Sequence, residues 1–366
     1  MASSKSSHQY VFILLIVLAL PVISLCGCEK VPTFDELAGK EDPPPPAAPP
    51  VPEAQPVDRT PPKVEPPVQT PPPKTPEMVY DAFVNMDPRL RSDQHLQEIA
   101  GLDAEFRRQI TELDLAGSNI TDNGAKHLVE FPQLQVLIID RTGIRGPGMA
   151  EIGKLTGLVE LSAQDTRIDT AGLQGIAGLT NLEYLDLTGT SINDLSFEHL
   201  LGMKNLQVLK IGNNQQLQGQ GLAELGKRGV LTNLLELYAP NTYIGNEGLV
   251  ALKGMPHLEV LYLGNASISE VQLPLISGCN ELIVLNLDGA AVGNNSLKQL
   301  VKLNKLEELS LKGCSALTDD AFNHIKNLKS LTQLNVNNTQ VSEQAVQTLK
   351  EKFLPDTTVL FRGKEY

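Results

Sequence analysis

One apolar pattern dominates this chain and limits what it can fold into. Units of the form Leu-x-x-Leu-x-Leu begin at Ile110, Leu134, Leu158, Leu182, Leu206, Leu234, Leu258, Leu282, Leu306 and Leu331, a step of 24 residues with one of 28 and one of 25. A unit this short cannot bury its own apolar flank, so neighbours must stack and supply the missing wall. The register therefore predicts a solenoid. With aromatics at 4% and no Trp, the composition suits a small repeated unit better than one large core.

Inside a unit the period changes. Leu182, Leu185 and Leu187 are spaced as a short strand, Thr190 and Ile192 turn the corner, and Phe197, Leu200 and Met203 follow at helical spacing, read as period 3.6. Thr121, Asp194, Thr318 and Ser342 stand as candidate helix entry caps, and Ser269 with Gln272 forms a capping-box pattern. Leu96, Ile99, Leu102 and Phe106 share a helical spacing ahead of the first strand, which predicts a polar-backed cap over the open end of the stack.

The pattern resembles leucine-rich repeats of the 24-residue kind, whose second half reads Gly-Leu-x-x-Leu; Gly172-Leu173, Gly221-Leu222 and Gly248-Leu249 carry the likeness. The resemblance implies an α/β solenoid with a parallel concave sheet and convex helices. Where the commonest pattern has Asn at the ninth position, this chain mostly has Thr or Ser, as at Ser118, Thr142, Thr166, Thr190, Thr242 and Thr339. Such hydroxyls are expected to bond neighbouring loop backbone with fewer donors than an amide.

The first 28 residues read as a processing segment: Lys5, an apolar run from Val11 to Ile23, then Leu25-Cys26-Gly27-Cys28. That run is too short for the roughly 20 residues of a membrane span. Leu-x-Gly-Cys resembles a bacterial lipobox, although Cys26 replaces the usual small residue; the resemblance implies cleavage before Cys28 and lipidation of Cys28. Ordinary signal cleavage and an uncleaved anchor are the alternatives. From Pro43 to Pro76, 16 of 34 residues are proline, a composition that predicts an unfolded, extended spacer. Its Pro-x-x-Pro runs also fit ligands for partner modules. The order resembles exported repeat lipoproteins of planctomycete-type bacteria. The expected organisation is thus a signal peptide over 1–27, anchor and linker over 28–77, a helical cap over 78–109, about ten repeats over 110–354, and a half-repeat with a charged tail over 355–366. Localisation on the non-cytoplasmic side of a bacterial membrane follows from the same resemblance.

A net charge of −13 leaves no basic footprint for phosphates, which argues against nucleic acid. Walker, His-Glu-x-x-His and Gly-x-Ser-x-Gly motifs are absent from the sequence, so neither a catalytic residue, a cofactor nor a small-molecule substrate is expected. Gly219-Gln220-Gly221 resembles a piece of a dinucleotide turn, but Gly221 is the glycine the repeat sets ahead of its helix. His127, His199 and His324 hold equivalent positions in repeats one, four and nine. The nearest two should lie roughly 15 Å apart, too far to share a metal, and are expected as solvated surface groups. Cys279 takes a position held elsewhere by Phe131, Leu155 and Met203, and Cys314 takes a ninth position; both are expected as free, buried thiols.

The strand residues between the buried leucines should line the concave face. The fifth position of each unit reads Asp114, Ile138, Ser162, Asp186, Lys210, Tyr238, Tyr262, Asn286, Ser310 and Asn335, with Tyr184, Val208 and Val260 in the third. Tyr184, Asp186, Lys210, Tyr238, Tyr262 and Asn286 are the candidate contacts for a protein or peptide, since stiff aromatics on an open face anchor interfaces. A tyrosine pair also stabilises a sheet without any ligand, and both readings stand. A structural, envelope-organising spacer is the rival role.

Overall fold

In a computed structural model of the chain, residues 74–366 are described. The leader, Cys28 and all but the end of the proline-rich stretch lie outside the described residues. Twelve strands form one sheet in chain order: β1 (Glu112–Asp114), β2 (Val136–Ile138), β3 (Glu160–Ser162), β4 (Tyr184–Asp186), β5 (Val208–Lys210), β6 (Glu236–Tyr238), β7 (Val260–Tyr262), β8 (Val284–Asn286), β9 (Glu308–Ser310), β10 (Gln333–Asn335), β11 (Thr358–Phe361) and β12 (Lys364–Glu365). The first eleven pair parallel, and the repeat register survives in space: Leu185 aligns with Leu209, Leu209 with Leu237, and Leu237 with Leu261. These leucines are all fully buried or nearly so. Only β12 runs antiparallel, against β11.

At the first edge the helices Pro76–Val84, Asp93–Ala100 and Ala104–Arg107 cover the stack, burying Phe83, Leu96 and Ile99. Leu102 and Phe106 pack against the core only in part. Arg91, itself buried, donates to the Asp114 carbonyl at 2.9 Å, so the guanidinium takes up backbone that no further strand covers.

In seven repeats the first return turn follows one residue, whereas Gln272, Ala321 and Ala345 hold that position in the other three. Repeats with Gly at the helix entry, as in Thr170–Gly175, turn as α-helix; those with Ser there, as in Asp194–Leu200, turn as 3₁₀. A Cβ on Gly172 would stand 2.6 Å from the Ile168 side chain, so glycine lets this turn seat closely on its own unit. Where Ser196 fills the position the chain takes the 3₁₀ path. This corrects the period expected for that repeat. Phe197 and Leu200 are three residues apart, the 3₁₀ spacing, and Met203 lies beyond the helix end.

Two further expectations change. Asp194 does not cap its own helix, because Asn193 does. The Asp194 carboxylate instead accepts from Gln218 N and Gly221 N, at 2.7 and 2.8 Å, and so caps the helix of the following repeat. Asp122 does the same for Arg145 N and Gly148 N. Thr318 sits at a cap position without a capping bond, whereas Thr121 and Ser342 cap as expected. The ninth-position hydroxyls also act mostly at home: Thr142, Thr166 and Thr339 donate to carbonyls three residues back in their own unit. Ser118 finds no partner. Only Thr242 reaches a backbone carbonyl of the preceding unit, that of Ile211. The cross-repeat role falls to Asn214, the one amide in the column, whose Nδ2 reaches the carbonyls of Leu187, Ile211 and Gly212.

Candidate functional site

Each three-residue strand buries its middle leucine and turns its first and third residues to the open face, a direct consequence of period two. Because the strands are parallel and in register, positions 24 or 28 residues apart in sequence become neighbours. Tyr184 aligns with Val208, Asp186 with Lys210, Lys210 with Tyr238, and Tyr238 with Tyr262. The long side chains then close into a line. Lys210 Nζ sits 5.1 Å from the Tyr184 ring centroid and 5.0 Å from that of Tyr238, a cation held between two π-faces. On its other side Tyr238 stacks on Tyr262, centroids 5.0 Å apart.

Polar contacts fix this line. The Tyr238 hydroxyl donates to Glu236 at 2.8 Å. The Asn286 amide donates to Asp288 at 3.2 Å while its oxygen accepts from Asp288 N at 3.0 Å. Val208 and Val260 stand half-buried in the adjoining column. Asp186 departs from expectation: it is only 5% exposed, its carboxylate accepts from Thr188 N at 2.8 Å, and the Tyr184 hydroxyl approaches it. It supports the face from below and has little surface to offer a partner.

The face carries negative charge. Burial, then the charges of Asp186, Asp140 and Glu160, push the Tyr184 hydroxyl pKa up. Burial and its bond to Glu236 do the same for Tyr238. Asp140 and Glu160 are both raised, chiefly by burial, with the charges of Asp186 on the first and of Glu112 and Glu183 on the second. Glu236 at the third position of its unit, and Asp140 and Asp288 at the seventh, lie outside the fifth-position column that the sequence offers, and are legible only as columns of their own.

The remaining candidates stay apart. His127, His199 and His324 are half-buried and not fully solvated, and among the described residues no group of three His, Cys, Asp or Glu is placed to hold a metal ion. Cys279 and Cys314 are free and buried, and burial lifts each thiol to a pKa of about 11. Gly219 and Gly221 serve the helix Gln220–Lys227, where Gly219 is the left-handed cap. No helix among the described residues is long and apolar enough to cross a membrane.

This arrangement of parallel strands, buried leucine columns and short return helices defines a leucine-rich-repeat solenoid. A leucine-rich-repeat family model matches residues 109–129. Among solved structures, a chain of the Rad7 and Elc1 complex in yeast is 20% identical, with 78% of this chain and 75% of that one covered and a TM-score of 0.53. A TDR receptor is 18% identical over 72% of this chain, with a TM-score of 0.50; this chain spans 45% of the receptor. No curated protein matches the sequence. At these identities the likeness is one of fold.

Proposed function

We propose that the protein is a non-catalytic interaction module, held to a membrane by lipid on Cys28, whose sheet face contacts a protein or peptide around Lys210, Tyr238, Tyr262 and Asn286. The observation that carries this reading is the line Tyr184, Lys210, Tyr238, Tyr262, three rings and a lysine in contact, gathered from four strands on the solvent side of the sheet. Rigid aromatics lose little entropy when a partner docks, and clustered Tyr residues tend to dominate binding energy. Leucine-rich repeats generally serve protein–protein contacts through such continuous faces. The yeast structure that shares the fold is itself a complex of two proteins.

The test is in-cell cross-linking of wild type and of the Tyr238→Ala, Tyr262→Ala double variant, followed by identification of captured proteins. Loss of a wild-type partner supports the reading; a full set of partners at undiminished yield removes it. Tethering is tested separately. Metabolic labelling with a radioactive fatty acid should mark the wild type and not Cys28→Ser, and a wild type without label would exclude a lipid anchor at that residue. If deleting residues 43 to 76 abolishes function while the tyrosine substitutions do nothing, the protein is a spacer instead.

A further inference from the structure

The aromatic line is unequal at its two ends. Tyr238 has both faces filled, one by Lys210 and the other by Tyr262. Tyr262 has one face on Tyr238; the face turned toward β8 meets no ring and no cation among the described residues. Its neighbour in register there is Asn286, a short side chain tied down to Asp288. At the corresponding place on the other side of the pair stands Lys210. The sheet thus holds a cation against one flank of the stacked tyrosines and leaves a slot of the same kind against the other.

Charge around the slot points the same way. Burial first, and then the charges of Glu308, Asp288 and Glu236, raise the Tyr262 pKa; Asp288 is bonded to Asn286 at the slot, and Glu308 stands on β9, one strand beyond β8. Among the described residues none of these three carboxylates forms an ion pair. Across the first and third positions of β1 to β10, Glu112, Asp114, Glu160, Glu236 and Glu308 are matched by one cation, Lys210, and it is already engaged.

Building on the sheet face as the docking surface, we propose that its partner is a basic protein segment that seats an arginine in the slot over Asn286, with the guanidinium stacked on the free face of Tyr262 and Glu308 and Asp288 supplying the counter-charge. Arginine fits better than lysine because its planar, weakly hydrated head both stacks on a ring and bridges carboxylates.

Full-length protein is titrated against labelled Gly-Ser peptides of equal length carrying arginines, lysines or glutamates, read by fluorescence anisotropy. The arginine peptide should bind about threefold or more tighter than the lysine peptide, and Tyr262→Leu should erase that preference. Asn286→Lys fills the slot from within and should weaken the arginine peptide about tenfold at an unchanged melting temperature. Ile138→Lys places the same charge on the same face but roughly 30 Å away, beyond the screening length, and should change little. Equal weakening by Asn286→Lys and Ile138→Lys, or equal affinity for arginine and lysine peptides, leaves only diffuse attraction and overturns the slot. The docking face and the slot fail separately: a cellular partner lost with Tyr238→Ala and Tyr262→Ala, yet cross-linking to Asn286 through a segment without arginine or lysine, overturns the slot alone.

Discussion

Tyr238 and Tyr262 are 24 positions apart in sequence, yet their rings stack with centroids 5.0 Å apart and planes inclined by 28°. The repeat length creates this contact: a step of one unit moves a side chain one strand along the sheet, and strands lie about 4.8 Å apart, close to the stacking distance of two rings. Any two aromatic residues sharing a column in adjacent units would meet in this way.

The pair should therefore be energetically coupled. A double-mutant cycle with Tyr238→Ala and Tyr262→Ala, followed by denaturant unfolding, is expected to return a coupling of about 0.5–1 kcal/mol. A coupling of zero would mean that the rings share a surface without supporting each other.

Asn214 should matter more than any ninth-position hydroxyl. It is buried, and its amide nitrogen lies 2.8, 3.0 and 3.1 Å from three carbonyls, one of them in the preceding repeat. Asn214→Leu removes three bonds at once, although each carbonyl keeps another donor in Thr190, Thr242 or Gly189 N, and should cost about 2 kcal/mol, against about 1 kcal/mol or less for Thr142→Val. Thr142 makes one bond, to Ile139 of its own unit. Equal losses in equilibrium unfolding would contradict this division of labour.

The sequence revealed the stack, the strand register and the tyrosine pair because each depends on a repeat length that can be counted directly. Residue-level chemistry was less legible for identifiable reasons. Asp194 looks like a local cap, and only three dimensions show that the nearest uncapped amides belong to the next unit. Phe197 and Leu200 fit a helix of either period until the bulk of Ser196 beside the turn decides for 3₁₀. Asp186 alternates as a surface residue should, but the neighbouring Tyr184 and Lys210 are long enough to cover it.

Arg141 is strained and replaceable. The eighth position of every repeat is left-handed, and it is filled by Gly, Asn or Asp in nine units, such as Gly117, Asn213, Asn241 and Gly313, but by Arg141 at φ 53° in the second. Arginine makes no side-chain hydrogen bond there, and its charge favours the Asp140 carboxylate only as the last of several influences, whereas asparagine tolerates the conformation at less steric cost. Arg141→Asn should raise stability by about 0.5–1 kcal/mol, seen as a melting temperature higher by a degree or two. A lower melting temperature would show that the guanidinium has a stabilising role.

Stability should fall in alkali. Cys279 and Cys314 are held protonated to about pH 11 by burial, and burial also raises Tyr184, Tyr238 and Tyr262. An unfolded chain ionises these groups at their lower ordinary values, so above about pH 9 it binds fewer protons than the folded state, and rising pH favours unfolding. Denaturation midpoints should drop steadily from about pH 9 to 11, and less so in the Cys279→Ala, Cys314→Ala variant. A flat profile would mean that the thiols and phenols ionise without opening the stack.

The last edge of the sheet gives a sharp test of what keeps the open strand from pairing further. β12 folds back on β11, exchanging bonds between Val359 and Tyr366 at 3.2 and 3.0 Å. The turn is pinned by Gly363 N on the Asn337 side chain at 2.7 Å and by the Tyr366 hydroxyl on Glu343 at 2.8 Å. Without residues 362–366, β11 would present Thr358, Val359, Leu360 and Phe361 as a bare parallel edge, and exposed edges of this kind recruit another strand. Light scattering of the truncated chain should therefore show stronger concentration-dependent association than the full chain. Changing Tyr366 to Phe keeps the strand and loses only the bond to Glu343, so it should associate no more than wild type. If the truncated chain also associates no more than wild type, the helix Glu343–Lys352 beside β11 is sufficient protection and the hairpin has another purpose.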